Sequence, residues 1–227
     1  MELLKNTILT AILLLAFSCQ TKAKSSNKIA LKETTEKIVF SDEELQKYET
    51  AYFASGCFWC VEAIFESVKG VKEVVSGYSG GPEQNPSYEE VAYGRTRHAE
   101  AVEVYYDPKV ISFQKLVQVF FGSHDPTTLN QQGPDRGAQY RSIAFYKNEK
   151  QKEIIDNYMT LLLSEGFYDR PIVTEVTKFE KFWPAEEYHQ DFEHRNPNNS
   201  YIRAVSVPRL NRFKANFEGF LKEDTTH

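Results

Sequence analysis

Cysteine is scarce in this 227-residue chain: only Cys19, Cys57 and Cys60 occur. So small a number excludes a scaffold stapled by several disulfides. Positive charge is also in deficit. The chain has 27 Lys and Arg against 32 Asp and Glu, a formal net charge of −5, which argues against a general nucleic-acid binder. The apolar run at 8–17 is too short to span a bilayer, which takes ~20 residues. No second ligand pair at finger-like spacing accompanies Cys57 and Cys60, and His98, His124, His189 and His194 are scattered, so zinc is not indicated. There is no internal repeat.

The N-terminus carries a targeting pattern. Lys5 precedes the apolar run, which suits a signal h-region. The run ends in Leu15-Ala16-Phe17-Ser18-Cys19, which resembles a bacterial lipobox, with Cys19 as the residue that is lipidated. Ala16 stands where Leu is preferred, and Phe17 is bulky. A plain secretory signal is the alternative. Residues 1–18 are thus read as signal peptide. Residues 19–47, rich in Lys, Ser, Thr and Glu, read as a polar tether. Residues 48–222 read as one globular domain. This organisation places the domain in the cell envelope, held at a membrane and facing the periplasm or exterior.

The most informative stretch is Gly56-Cys57-Phe58-Trp59-Cys60-Val61-Glu62. It follows a short apolar strand and opens a helix. A thiol at a helix start faces unpaired N–H groups and the positive end of the dipole, and both favour thiolate. Cys57 and Cys60 can also close into a disulfide. Taken alone, the pair fits a structural disulfide or two buried thiols as well as a redox site.

The succession of elements reads as mixed α/β, an open sheet with helices packed on it. Strands are expected over 50–54, 71–78, 99–106, 140–146 and 172–178. Helices are expected from Cys57 to about Lys69, from Ser87 through Tyr93, over 113–122 behind a Ser112 cap, and from Asn148 to Gly166. Pro184 is placed as the first residue of a helix through about His194. The polar stretch 124–139 is too long for a simple connection and is suspected of function. The tail to Leu221 is less readable.

Several separate stretches resemble the A-type peptide methionine sulfoxide reductases. They are the Cys57 motif, Gly77-Tyr78-Ser79-Gly80-Gly81, Asn85-Pro86-Ser87-Tyr88, His98-Ala99-Glu100-Ala101-Val102, His124-Asp125-Pro126, the run from Asp135 to Ser142, and Tyr188-His189-Gln190. The resemblance implies a split βαβ, ferredoxin-like α/β fold in a single domain. It implies Cys57 as nucleophile and Glu100 as a buried, neutral acid. Tyr88 and Tyr140 would bind the sulfoxide oxygen, Phe58 and Trp59 would receive the methyl, and Asp135 would line the same pocket. It further implies preference for the S epimer, on protein-bound and free methionine sulfoxide, by a monomer with no bound cofactor and an external dithiol such as thioredoxin as reductant. The C-terminal region lacks the further cysteines that some members use for recycling, so the resemblance leaves resolution to Cys60. Arg97 stands where many relatives have Gly.

Two other functions compete. A general thiol–disulfide oxidoreductase would want Pro between the thiols, where Phe58-Trp59 stand. A tethered binding module for exposed methionines would not consume thiols.

Overall fold

Alternating small and β-branched residues build a sheet whose two faces differ in partner. On strand β3 (Ala99–Tyr106), Glu100, Val102 and Val104 share one face. Val102 and Val104 join the main apolar core with Phe53, Ile64, Phe65 and Phe120. Ala99 and Ala101 point the other way, into a smaller core with Tyr52, Ile143, Phe145 and Phe182.

The structure is a computed structural model that describes residues 40–223. The signal peptide, Cys19 and most of the tether lie outside the described residues. A short helix, α1 (Asp42–Leu45), stands within the stretch read as tether, with Leu45 buried. Strand β1 (Glu49–Ser55) leads into helix α2 (Phe58–Glu66), followed by β2 (Val71–Ser79), α3 (Tyr88–Ala92), β3, α4 (Phe113–Gly122) and a two-residue hairpin, β4 (Gln131–Gln132) with β5 (Asp135–Arg136). Then come β6 (Ser142–Tyr146), α5 (Glu149–Ser164), β7 (Glu175–Lys178), β8 (Phe182–Pro184), α6 (Phe192–Arg195) and α7 (Val207–Asn216). No helix among the described residues is long and apolar enough to cross a membrane.

The large sheet has the order β7-β6-β1-β3-β2-β8. β1 and β2 each pair antiparallel with β3, so they run parallel with β3 between them. β3 and β6 likewise flank β1 and run parallel. The units β1-α2-β2 and β3-α4-β6 are therefore two interlocked split βαβ units, the expected ferredoxin-like arrangement. β7 extends the sheet in parallel, and β8 extends it antiparallel.

α2 and α4 pack on the Glu100 face. Phe53 of β1 stacks on Phe65 of α2 at 5.2 Å and on Phe120 of α4 at 5.0 Å. Each such fully buried side chain stabilises the fold by about 1.5–3 kcal/mol. Ser87, Ser112 and Asn148 cap their helices through side-chain oxygens, as read from the sequence.

Two readings need correction. Pro184 does not open a helix: it lies in β8, opposite Gly77. β8 is an edge strand, where a missing N–H costs no ladder bond. Gly77 makes that contact possible, because a Cβ there would lie 2.4 Å from the Trp183 carbonyl oxygen. Tyr140 is not in a strand; it ends a 3₁₀ turn, Ala138–Tyr140, and β6 begins at Ser142. The less readable tail contains a π turn, Ile202–Ser206, leading into α7. Pro208, near the start of α7, supplies no N–H to the preceding turn.

Candidate active site

β1 delivers the chain to the site through Gly56, at φ +93°. A Cβ there would stand 2.6 Å from Cβ of Gln132, so the conformation and the space both require glycine. Cys57 is the N-cap of α2 and its side chain makes no capping bond. Its carbonyl accepts from the N–H of Cys60 at 3.2 Å and of Val61 at 3.3 Å. The two thiols are therefore one turn apart. Both are free and buried, 6% exposed at Cys57 and 1% at Cys60.

β3 brings Glu100 to the same helix start. The Phe58 N–H donates to Oε2 of Glu100 at 3.0 Å. A carboxyl on a helix N-terminus would ordinarily stay ionised. Burial outweighs this: it pushes Glu100 up to about 8, with the charges of Asp135 and Cys60 adding to the effect. Glu100 is therefore a protonated acid at neutral pH.

That contact also changes the expectation for Cys57. The nearest unpaired N–H of the helix start, that of Phe58, is already spent on Glu100. Burial pushes the Cys57 thiol well up, and Cys60 and Glu100 push the same way. Cys60 is instead held down at about 6, first by the hydrogen bond from Cys57 and then, against the cost of burial, by the charge of Arg209. The two thiols behave as one unit that shares a proton.

Aromatic rings wall this centre. Phe58 lies 6.3 Å from Tyr88 and 5.0 Å from His189, centre to centre. Trp59 stacks on Phe192 at 3.8 Å and donates from Nε1 to Nδ1 of His189 at 3.2 Å. His189 Nε2 therefore carries the proton, and it is the buried side-chain polar atom left without a partner among the described residues. Tyr88 and Tyr140 both sense the charges of Glu100, Cys57 and Asp135, and burial holds both phenols protonated. Neither hydroxyl meets a protein partner among the described residues. The hairpin β4–β5 brings Asp135 into the site, where Oδ2 accepts from the Tyr201 hydroxyl at 2.5 Å. The same hydroxyl lies 3.8 Å from Cys60 Sγ. All eight residues singled out from the sequence in the domain thus surround one helix start.

Four further residues were missed. Tyr201 and Arg209 come from the tail, where no local pattern marks them. Glu186 accepts from the Tyr78 hydroxyl and from the Tyr88 N–H, both at 2.9 Å, and so fixes α3. Glu62, inside the cysteine motif, accepts from Ser76 Oγ and from the Asp191 N–H, both at 2.9 Å. It ties α2 to the segment that carries His189.

The remaining histidines of the matched stretches are occupied. His98 accepts from the Gly81 N–H at Nδ1 and meets the Glu83 carbonyl at Nε2. His124 bonds the Phe120 carbonyl and Ser142 Oγ; burial and Arg209 lower it to about 3. Arg97 is exposed and reaches Glu83 at 3.8 Å. A cavity of about 490 Å³, lined by His124, Asp125, Arg170 and Arg209, adjoins this region but includes neither thiol.

A ferredoxin-like sheet that sets two buried thiols beside a protonated carboxyl defines a thiol-based redox enzyme. The family model described as peptide methionine sulfoxide reductase matches residues 49–220. The peptide methionine sulfoxide reductase MsrA 1 of Rhodopirellula baltica is 51% identical over 174 residues, 77% of this chain and 90% of its own. MsrA of Pasteurella multocida is 45% identical over 77% of this chain and 99% of its own. Among solved structures, methionine sulfoxide reductase A of Corynebacterium diphtheriae superposes with a TM-score of 0.60 at 36% identity, covering 66% of this chain and 76% of that one. Reduced Mxr1 from Saccharomyces cerevisiae gives 0.62 at 33%, covering 66% and 87%. The chain belongs to the peptide methionine sulfoxide reductase family, and it is an enzyme that reduces methionine sulfoxide.

Proposed function

We propose that Cys57 attacks the sulfoxide sulfur while Glu100 protonates the departing oxygen. The observation that carries this reading is the contact between Glu100 and the first N–H of α2. It puts a protonated acid and a thiol on the same helix start. An oxygen leaving as water needs such an acid. Tyr88 and Tyr140, with free hydroxyls, hold the sulfoxide oxygen. Phe58 and Trp59 receive the methyl, where soft sulfur contacts suit aromatic faces. Asp135, oriented by Tyr201, and the free N–H of His189 engage the polar part of the substrate. Attack joins the Cys57 sulfur to the substrate sulfur as the oxygen leaves as water; a water then adds to the Cys57 sulfur, methionine departs, and the sulfenic acid left on Cys57 is resolved by Cys60 to a disulfide with loss of water. An external dithiol of thioredoxin type reopens it by exchange. The electrons come from thiols, so the reading invokes no bound cofactor. The enzyme acts as a monomer. The S epimer is the substrate, protein-bound or free.

The same proposal extends to location. Cys19 is the lipidated residue of an envelope protein, and the reductant acts outside the cytoplasm. The sequence at 1–19 and the polar composition of 20–47 support this.

The test uses purified full chain, thioredoxin with its reductase, and the separate S and R epimers of N-acetyl methionine sulfoxide. Methionine derivative should form from the S epimer, with loss of two free thiols when thioredoxin is omitted. Product from the R epimer alone, or product without thiol loss, overturns the assignment.

A further inference from the structure

Two segments far from the cysteine motif meet at Cys60. The Tyr201 hydroxyl lies 3.8 Å from Cys60 Sγ and donates to Oδ2 of Asp135 at 2.5 Å. A phenol has one proton to give. Tyr201 gives it to Asp135, so toward Cys60 its oxygen can only accept. Thiol, phenol and carboxylate therefore form a chain with one direction: the Cys60 S–H points to the Tyr201 oxygen, and the Tyr201 O–H points to Asp135.

The fold fixes each member of that chain. Cys60 is 1% exposed, one turn inside α2. The Tyr201 N–H donates to Asn199 Oδ1 at 2.9 Å, and its ring meets Trp59 edge-on with centroids 6.0 Å apart. Tyr201 stands at the head of the π turn Ile202–Ser206, a rare geometry that recurs at functional sites. Asp135 sits in the β4–β5 hairpin opposite Gln132. Burial raises its carboxyl from the ordinary value, which makes it a better proton acceptor. Ser206 also lies beside Cys60, and its hydroxyl donates to Glu193. A phenol, with an ordinary pKa of about 10, passes a proton on more readily than that alkyl hydroxyl.

We propose that Tyr201 is a catalytic residue of the resolving step, relaying the Cys60 proton to Asp135 as Cys60 attacks the sulfenic acid on Cys57. This rests on the reading of Cys60 as resolver. The Cys60 sulfur supplies an electron pair to the Cys57 sulfur. The S–S bond forms, the S–O bond breaks, and the oxygen leaves with its electron pair as hydroxide. The Cys60 proton passes to the Tyr201 oxygen while the Tyr201 proton passes to Asp135. Glu100, reprotonated from solvent after the reduction step, gives the hydroxide the proton that makes it water. Asp135 then loses a proton to solvent and Glu100 regains one, so the site returns to its starting charge.

The test is a single turnover on the full chain carrying Cys19→Ser, with the S epimer of N-acetyl methionine sulfoxide and no thioredoxin. Rapid quench reads release of the methionine derivative, dimedone with mass spectrometry reads the sulfenic acid, and loss of free thiols reads disulfide closure. Tyr201→Phe keeps the ring and removes only the relay oxygen. Its ratio of closure rate to release rate should fall about 10²-fold or more, the usual worth of a positioned proton-transfer group, and sulfenic acid should accumulate. Asp135→Asn keeps an acceptor for the phenol but cannot take its proton, so the ratio should fall in the same way. The double variant should close no more slowly than the slower single one, since both break one chain. Ser206→Ala should leave the ratio unmoved. Prompt closure by Tyr201→Phe overturns the proposal. So does a Tyr201→Phe that slows release as much as closure, or slowing that adds in the double variant, because either would make Tyr201 a packing residue. If Tyr201→Phe does not fold, Asp135→Asn decides: prompt closure overturns the relay, and accumulated sulfenic acid supports it. The underlying reading fails by a different sign, the absence of a Cys57–Cys60 disulfide from the oxidised protein on peptide mapping.

Discussion

Tyr201 donates its hydroxyl to Asp135 at 2.5 Å, joining the tail before α7 to the hairpin that follows α4. The same hydroxyl reaches Cys60, and the Tyr201 ring packs edge-on against Trp59. A double-mutant cycle of Tyr201→Phe and Asp135→Ala, read by urea unfolding, should give a coupling of about 0.5–3 kcal/mol. Additive losses would mean that the bond contributes nothing to holding the hairpin.

Glu100→Gln keeps the shape and one donor for the sulfoxide oxygen but has no proton to release. General acids contribute typically about 10²–10⁴-fold. The first-turnover rate of methionine release should fall roughly within that range, while substrate affinity changes little. A rate within a few-fold of wild type would remove Glu100 as the acid.

How far the sequence carried this site depends on where each signal lies. Cys57 and Glu100 were legible because each sits in a short matched stretch. In the structure Glu100 shares the helix-covered face of β3 with Val102 and Val104. The order of elements pointed to an open mixed α/β sheet, and the split βαβ arrangement came with the family resemblance. Tyr201 and Arg209 were not legible. They act across 141 and 154 positions of chain, on Cys60 and Ser55, and nothing near them in sequence encodes that contact. The charge on Cys57 was misjudged for a related reason. The helix start alone favours a thiolate, but the Phe58 N–H is taken by a carboxyl that arrives from 42 residues away. Pro184 was misread because proline at a helix start and proline on a sheet edge look alike until the edge is known.

The same carboxyl makes stability depend on pH. Glu100 is raised from its ordinary value to about 8 in the folded protein. The folded state therefore holds this proton more tightly than the unfolded chain. The resulting stability is fully present below the unfolded carboxylate range near ~4.3 and is lost as pH rises through about 8. In that window the slope approaches about 1.4 kcal/mol per pH unit. Glu100→Gln cannot titrate, so its stability relative to wild type should rise between pH 5 and 8, as measured by urea unfolding at each pH. Parallel curves for the two proteins would mean that Glu100 is already ionised when folded.

Lipidation of Cys19 is tested in the native host by metabolic labelling with a fatty acid. Label should enter the wild type and sediment with membranes, and Cys19→Ala should remain unlabelled. An unlabelled wild-type protein would leave only secretion by a plain signal.

The two thiols of α2 should fail in different ways when removed. Cys57 stands at the helix start beside Glu100, whereas Cys60 lies one turn further in, against Tyr201. Cys57→Ser should release no methionine at all, because a hydroxyl in an apolar pocket is a poor nucleophile toward sulfur. Cys60→Ser should retain the first step and release about one methionine per enzyme, in keeping with a sulfenic acid formed on Cys57 alone. It should then stall with thioredoxin as donor, and dimedone should trap the sulfenic acid. Rapid-quench measurement of methionine against enzyme concentration separates the cases. No first-turnover product from Cys60→Ser would place that thiol in the reduction step itself. Sustained turnover by the same variant would show that something other than Cys60 resolves the sulfenic acid.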